Sequence, residues 1–283
     1  MSLIKHLHYI NERTGGIEFE DFFSSHTSSD EGFTQHIHDS IPSYNEMEKS
    51  SADAIVSIYN QGLVLDIGAS EGTWGKYISK RSNGKIITHN LDPNEDMKDT
   101  FNKDPVEGAE FIQRPFGSDY GDMKAYSPKN KYDVVRESMT FQFISTNRQS
   151  QYKEVQQALK SDGLFITNSK VFQLDDDEYK KYEKLKDAYK RQSFTDDEIK
   201  KKAKDILPNM SKYMVDIITT VEALQKHFKY VVQYWVSGNF TGFVAGDDMN
   251  KIDAFLSEMP EVDGYPNSVE GKLVDMELAM AEV

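Results

Sequence analysis

Residues 64–75 read VLDIGASEGTWG, an apolar run that closes on Asp66 and opens into a loop with Gly68, Gly72 and Gly75. Gly68 and Gly72 let backbone approach a ligand closely, and the helix that follows presents amide groups without intrahelical partners. The spacing is G-x-x-x-G. A dinucleotide loop uses G-x-G-x-x-G, whose second glycine makes room for a pyrophosphate, and Ser70 occupies that place here. An acid directly before the loop repels phosphate and suits a cation. Farther on, a second apolar run ends in Asp92, where a carboxylate can accept from both hydroxyls of a ribose.

A ligand with an adenosine, an ammonium group and no phosphate meets all of these conditions, and S-adenosyl-L-methionine is such a molecule. The alternative readings are a strand–helix turn with no ligand and a site for NAD or FAD. Methyl transfer from a sulfonium needs an acceptor lone pair held about 3–3.5 Å from the methyl carbon, and at most a base for the acceptor proton. Those groups are sought at the end of the fourth strand, Arg136-Glu137-Ser138-Met139-Thr140-Phe141-Gln142-Phe143. Glu137 and Ser138 alternate, so one of the two should face the site, as catalytic candidate or as rim. The stretch has neither N-P-P-Y nor D-P-P-Y, which argues against an adenine or exocyclic cytosine acceptor. The absence of cysteine excludes thiolate attack on a pyrimidine ring as well as disulfides and thiolate metal sites. The Lys-Asp-Lys-Glu set of ribose 2′-O-methyltransferases is not identifiable. Lys170 reads as a solvated strand end, and Trp74 as core more than as a floor for the ligand. Five of the seven histidines, His6, His8, His26, His36 and His38, fall near the start of the chain without carboxylates at ligand spacing, so no metal site is expected.

The elements that must position these residues alternate. Strands are expected at Leu63–Ile67, Lys85–Asp92, Glu110–Arg114, Tyr132–Ser138 and Leu164–Ser169, with helical stretches between them and a hairpin over 230–246 about a Ser-Gly-Asn turn. This pattern predicts an α/β, doubly wound, Rossmann-like sheet of seven strands with an antiparallel edge. Residues 1–50 read as an N-terminal arm anchored by Phe19, Phe22, Phe23 and Phe33, residues 51–246 as the domain, and residues 247–283 as an acidic tail. Between about 175 and 215 lie two charged helices, a lid over the site in this reading. Thr195 and Glu198 are spaced as a capping box for the second. Lid lysines 180, 181, 190, 200 and 201 and Arg191 either meet an anionic substrate or form a solvated face with i,i+4 pairs.

The chain has 283 residues, 38% of them hydrophobic, and a net charge of −14. Ten acids and two bases after Gly246 carry more than half of that charge. An extended nucleic-acid surface is therefore not expected. No apolar run approaches the roughly 20 residues of a membrane helix, and no long apolar leader opens the chain. A soluble, cytoplasmic protein is the expectation.

From about Ser43 to Gly246 the sequence resembles the class I S-adenosylmethionine-dependent methyltransferases: VLDIGASEGTWG resembles their first motif, HNLDPN their second, and DGLFITNS their fifth-strand motif. FTQHIHDSIPSYNEM, TFQFIS, YKRQSFTDDEIKKKAKDI and WVSGNFTGFVAG are further similar to the carboxy-S-adenosylmethionine synthase family of tRNA wobble-uridine modification. The resemblance implies a cofactor site lined by Tyr44, Asp66, Gly68, Ala69, Ser70, Gly72, Asp92, Pro93, Phe116 and Ser138. The chain departs from the synthases by placing Ala203, flanked by Lys202 and Lys204, where they have an arginine, and Ser138 where they have an asparagine. Three functions stay open: methyl transfer to a small or medium-sized acceptor, the synthase reaction, and cofactor binding without turnover by a partner or regulatory subunit. The resemblance is compatible with a homodimer.

Overall fold

The computed structural model describes residues 32–117, 122–259 and 272–273. Within them the strands are β1 (Gly62–Ile67), β2 (Ile86–Leu91), β3 (Ala109–Ile112), β4 (Tyr132–Ser138), β5 (Leu159–Lys170), β6 (Tyr230–Ser237), β7 (Phe240–Gly246) and the two-residue β8 (Lys272–Leu273). The helices are α1 (Gly32–His38), α2 (Tyr44–Ile58), α3 (Thr73–Arg81), α4 (Glu95–Lys103), α5 (Arg148–Ala158), α6 (Asp176–Lys190), α7 (Asp196–Ser211), α8 (Ile217–His227) and α9 (Met249–Glu258), with a 3-10 turn at Phe141–Phe143. The sheet order is β3-β2-β1-β4-β5-β7-β6-β8. β1 to β5 run parallel, and β6, β7 and β8 pair antiparallel. The seven-strand mixed sheet expected from the sequence is present, with β8 as a short addition on its edge.

Alternation along the buried strands divides the core into two layers. Val64, Val134, Leu164, Ile166, Val232 and Val244 face α2, α3 and α9. Leu65, Val135, Phe165, Val231, Phe243 and Ala245 face α5 and α8 on the other side. Both faces are covered, which is why these strands read as continuous apolar runs. Several helices begin where short polar side chains take up free amides: Asn94 accepts from the Asp96 amide at 2.8 Å, and Thr195 and Glu198 form the reciprocal capping box.

Two boundaries drawn from composition shift. The division at residue 50 falls inside α2, which buries Tyr44, Met47, Ala52 and Ile55 on one face and belongs to the domain. The start of the tail also moves. α9 buries Ile252 and Phe255, its Ser257–Glu258 end reaches α2 through the Ser57 hydroxyl on Glu258 at 2.9 Å, and Lys251 pairs with Asp162 at 2.7 Å. Net acidity had masked an amphipathic helix whose apolar residues sit three apart. The aromatic anchors Phe19, Phe22 and Phe23, the Phe33 side chain and the end of the acidic tail lie outside the described residues, as do His6, His8 and His26. No helix among the described residues is long and apolar enough to cross a membrane.

Candidate functional site

β1 and β4 are neighbours although β2 and β3 intervene in sequence, so the carboxyl ends of β1, β2 and β4 diverge at a topological switch point. A cavity of about 830 Å3 opens there, large for a ligand site, and the lid helices α6 and α7 and the short α1 close over it. It is lined by Tyr44, Asp66, Gly68, Ala69, Ser70, Asp92, Pro93, Phe116 and Ser138, which the tertiary fold thus brings together from five separate stretches. Gly72 and Glu137 are not on its wall.

The loop after β1 is built tightly. Gly68 and Gly72 have φ of +68° and +70°, and a Cβ on Gly68 would lie 2.1 Å from Thr140 Oγ1. Ser70 also adopts a left-handed φ of 52°. The amides of Gly68 and Ala69 both donate to the Leu91 carbonyl, at 2.7 and 3.1 Å, and that of Gly72 to the Ala69 carbonyl at 2.8 Å. The Ser70 amide donates to Asp92 Oδ2 at 3.1 Å. The expected row of free amides is therefore not available at these four positions: three are spent on Leu91 and Asp92 at the end of β2, and the fourth closes the loop on itself. Residues 68–70, so wired, offer no amide to a phosphate. Gly72 serves packing instead, since a Cβ there would meet the Phe101 ring at 2.4 Å.

Asp92 ends β2 half-buried, with Oδ1 accepting from the Asn94 amide at 2.9 Å. Each oxygen carries one amide bond and retains acceptor capacity. Burial raises its pKa, while the Asn94 and Ser70 amides pull it back.

Asp66 is 1% exposed and does not stand free for a cation. Arg136 Nη1 donates to its two oxygens at 3.1 and 3.2 Å, and Nη2 binds Glu48 from α2. The guanidinium carbon lies 4.6 Å above the Trp74 ring, whose Nε1 donates to the Glu48 carbonyl at 3.2 Å. Trp74 therefore packs in the core and borders the cavity as well. Burial pushes the Asp66 carboxyl up to about 6, opposed by Arg136 and reinforced by Glu48. His38 reaches the other Glu48 oxygen at 3.1 Å. Two carboxylates and one guanidinium, paired with one another, thus border the cavity with one negative charge left over. Arg136 and Glu48 were missed from sequence. The available signal was a charge inside the buried strand YDVVRES, directly in register with Asp66.

Ser138 and Tyr44 meet at 2.7 Å, hydroxyl to hydroxyl. Glu137, the alternative catalytic candidate, points into the core with no exposure. It accepts from the amides of Thr140 and Phe141 at 3.2 and 3.3 Å and from the hydroxyls of Thr167 and Ser169. It holds the turn after β4, where Met139 has a left-handed φ of 56°. The strand's alternation sends Ser138 to the cavity and Glu137 away from it.

Lys170 overturns its reading as a solvated strand end. It is 1% exposed, lines the cavity and pairs with Glu183 of α6 at 2.7 Å. His36 and His38 do not converge as a metal pair: His36 Nδ1 accepts from Lys202 at 2.8 Å, and His38 turns to Glu48. No cluster of metal-ligating side chains occurs among the described residues.

No protein-family model matches the chain. No curated protein sequence matches it either. Solved structures do match in shape. The plantazolicin methyltransferase BpumL, solved with a triazolic desmethylPZN analog and SAH, superposes with a TM-score of 0.53 at 14% identity, covering 90% of this chain and 87% of that one. The same protein with a monoazolic analog and SAH gives 0.51 at 11% identity, covering 88% and 100%. A possible exported protein from Bordetella parapertussis gives 0.51 at 9% identity, covering 71% of this chain and 66% of that one. Likeness at such identity is a likeness of fold, and the fold is the α/β Rossmann-like fold of S-adenosylmethionine-dependent methyltransferases.

Proposed function

We propose that this chain is an S-adenosylmethionine-dependent methyltransferase acting on a small or medium-sized acceptor. The observation that carries the reading is the wiring of the loop after β1. Four of its amides are consumed internally while Asp92 keeps acceptor capacity beside it and Asp66 precedes it, so the site suits an adenosyl group better than a pyrophosphate.

The residues fit the cofactor by their chemistry. Asp92 accepts from ribose hydroxyls, and Pro93 and Phe116 offer apolar walls next to it. Glu48, Asp66 and Arg136 pair with one another, and the negative charge left over from two acids and one guanidinium suits an ammonium, with Tyr44 and Ser138 adding hydroxyls at the same end. S-adenosylmethionine, when bound, supplies a methyl already activated by its sulfonium. The protein's share of catalysis is then orientation of the acceptor and exclusion of water by α6 and α7.

The carboxy-S-adenosylmethionine synthase reading has less support. Ala203 borders the cavity where those enzymes have arginine, and the neighbouring Lys202 ammonium is engaged by His36 and lies 3.2 Å from the Phe194 ring centre. A lysine there gives a point charge and no bidentate fork.

Calorimetric titration of the full chain with S-adenosylmethionine and S-adenosylhomocysteine tests the proposal. Binding is expected, with at least a tenfold loss in Asp92→Ala. Rejection of both ligands by a folded wild-type protein sinks the reading. A carboxylated cofactor released from the purified protein favours the synthase. Tight binding with no product in an acceptor screen favours a non-catalytic partner.

A further inference from the structure

We propose that the lid end of the cavity is a recognition site for an anionic group, a carboxylate or a phosphate, on an otherwise apolar acceptor, and that Lys190 is the residue that meets it. That such a molecule is an acceptor rests on the methyltransferase reading; the anion site itself belongs to the lid.

Helix α6 presents Glu183, Lys186, Asp187 and Lys190 to the cavity, a spacing of i, i+3, i+4 and i+7 that lies along one helical face. Lys170 comes up beneath them from the end of β5. Glu183 is shared: Lys170 Nζ reaches one oxygen at 2.7 Å and Lys186 Nζ the other at 2.5 Å. Those two ammoniums hold the Glu183 carboxyl far below the usual carboxylate range despite its burial. One carboxylate therefore already answers two cations.

Lys190 adds a third cation to this face. Its ammonium makes no hydrogen bond and no ion pair among the described residues, although Asp187 is one turn away on the same face. A lysine in the last turn of a helix is favoured by the helix dipole, which explains the residue type but not its place on a cavity wall. A half-buried ammonium on a cavity wall without a partner carries a desolvation cost, and a bound anion removes it. Burial first, then the positive fields of Lys186 and Lys170, lower the Lys190 pKa to about 7 against the pull of Asp187 and Glu183. The site is poised to gain a negative charge.

The other lid helix sets the rest of the ligand. α7 turns Ile199, Ala203, Ile206 and Met210 to the same cavity, spaced at helical intervals, with Lys202 held by His36 among them, and Phe240 lines it as well. This is an apolar wall beside a cationic one. It fits a molecule with a hydrocarbon or aromatic body and one anionic group.

The test is calorimetric titration of the full chain, with S-adenosylhomocysteine present and absent, using phenylacetate, phenyl phosphate and the neutral phenylacetamide as probes. At least one anion is expected to bind, tenfold or more tighter than the amide. Lys190→Met should weaken it at least tenfold and Lys190→Arg should restore it. Lys184→Met, on an exposed position of α6, should leave it unchanged. Whichever anion binds identifies the carboxylate or the phosphate as the group recognised. Equal affinity for amide and acids, an unaffected Lys190→Met, or no anion binding at millimolar concentration overturns the proposal. Loss of S-adenosylhomocysteine binding with anion binding intact overturns the methyltransferase reading alone.

Discussion

Arg136 and Asp66 lie opposite one another on the parallel strands β4 and β1, and the guanidinium donates to both carboxylate oxygens at 3.1 and 3.2 Å. The pair is buried, with Glu48 as a second acid on the same guanidinium. Removing the cation leaves two carboxylates facing each other without compensation. Arg136→Met is expected to destabilise the protein by about 3–5 kcal/mol. Arg136→Lys should fall between, since it keeps the charge and loses the fork. Urea denaturation at neutral pH measures both; a wild-type midpoint in Arg136→Met excludes a structural role for the pair.

Asp66 also sets a pH dependence. Its folded pKa of about 6 lies above the ordinary value of 3.8, so the folded state binds the proton more tightly than the unfolded one. The cost of its charge is absent below about pH 4, grows between pH 4 and 6, and is complete above pH 6. Relative to Asp66→Asn, the wild type should gain stability as pH falls from 7 to 5 and show no drift between pH 7 and 8. Paired denaturation curves at these values decide it, and a flat difference across the window contradicts the assignment.

Glu137 is an anchor for a turn. Glu137→Ala strips the acceptor from two amides and two hydroxyls and should cost at least about 2 kcal/mol. Glu137→Gln, which keeps one acceptor oxygen, should cost less and leave affinity for S-adenosylhomocysteine within about threefold of wild type. A large drop in turnover with unchanged stability in Glu137→Gln would instead give it a role in the chemistry.

Lys190 should make anion binding fall with pH. Charged below about pH 7 and neutral above it in the free protein, it is faced by Glu183, Lys186 and Asp187 of α6 and by Lys170 of β5. An anion raises its pKa, so binding takes up a proton above pH 7 and affinity declines there by up to about tenfold per unit. Phenylacetate stays ionised throughout, so titrations at pH 6, 7 and 8.5 isolate the lysine. Affinity that does not change between pH 7 and 8.5 contradicts it.

The fold was legible because its signals are local. Each apolar run with its flanking glycine or cap reports a strand or a helix without reference to distant residues, and their alternation fixes a parallel sheet with both faces covered. The loop VLDIGASEGTWG and Asp92 were legible for the same reason. They stand at strand ends, and a strand end in such a sheet is where ligands bind. Asp247 to Glu258 misled because net charge is a bulk property, whereas α9 is held by the two apolar side chains Ile252 and Phe255 on one face.

What tertiary structure alone decided is partnership. The sequence determined that an acid precedes the loop. Only the register of β4 against β1 placed Arg136 upon it, and only the docking of α2 brought Glu48 from 88 residues away. The sequence placed Glu137 and Ser138 side by side. The phase of β4 sent one into the core and the other to Tyr44. Lys170 and the lid lysines looked alike in sequence because a lysine's surroundings, not its identity, set whether it is solvated. Long-range packing buried Lys170 on Glu183 and left Lys190 on the cavity wall, since the partners that neutralise a charge come from wherever the chain returns in space.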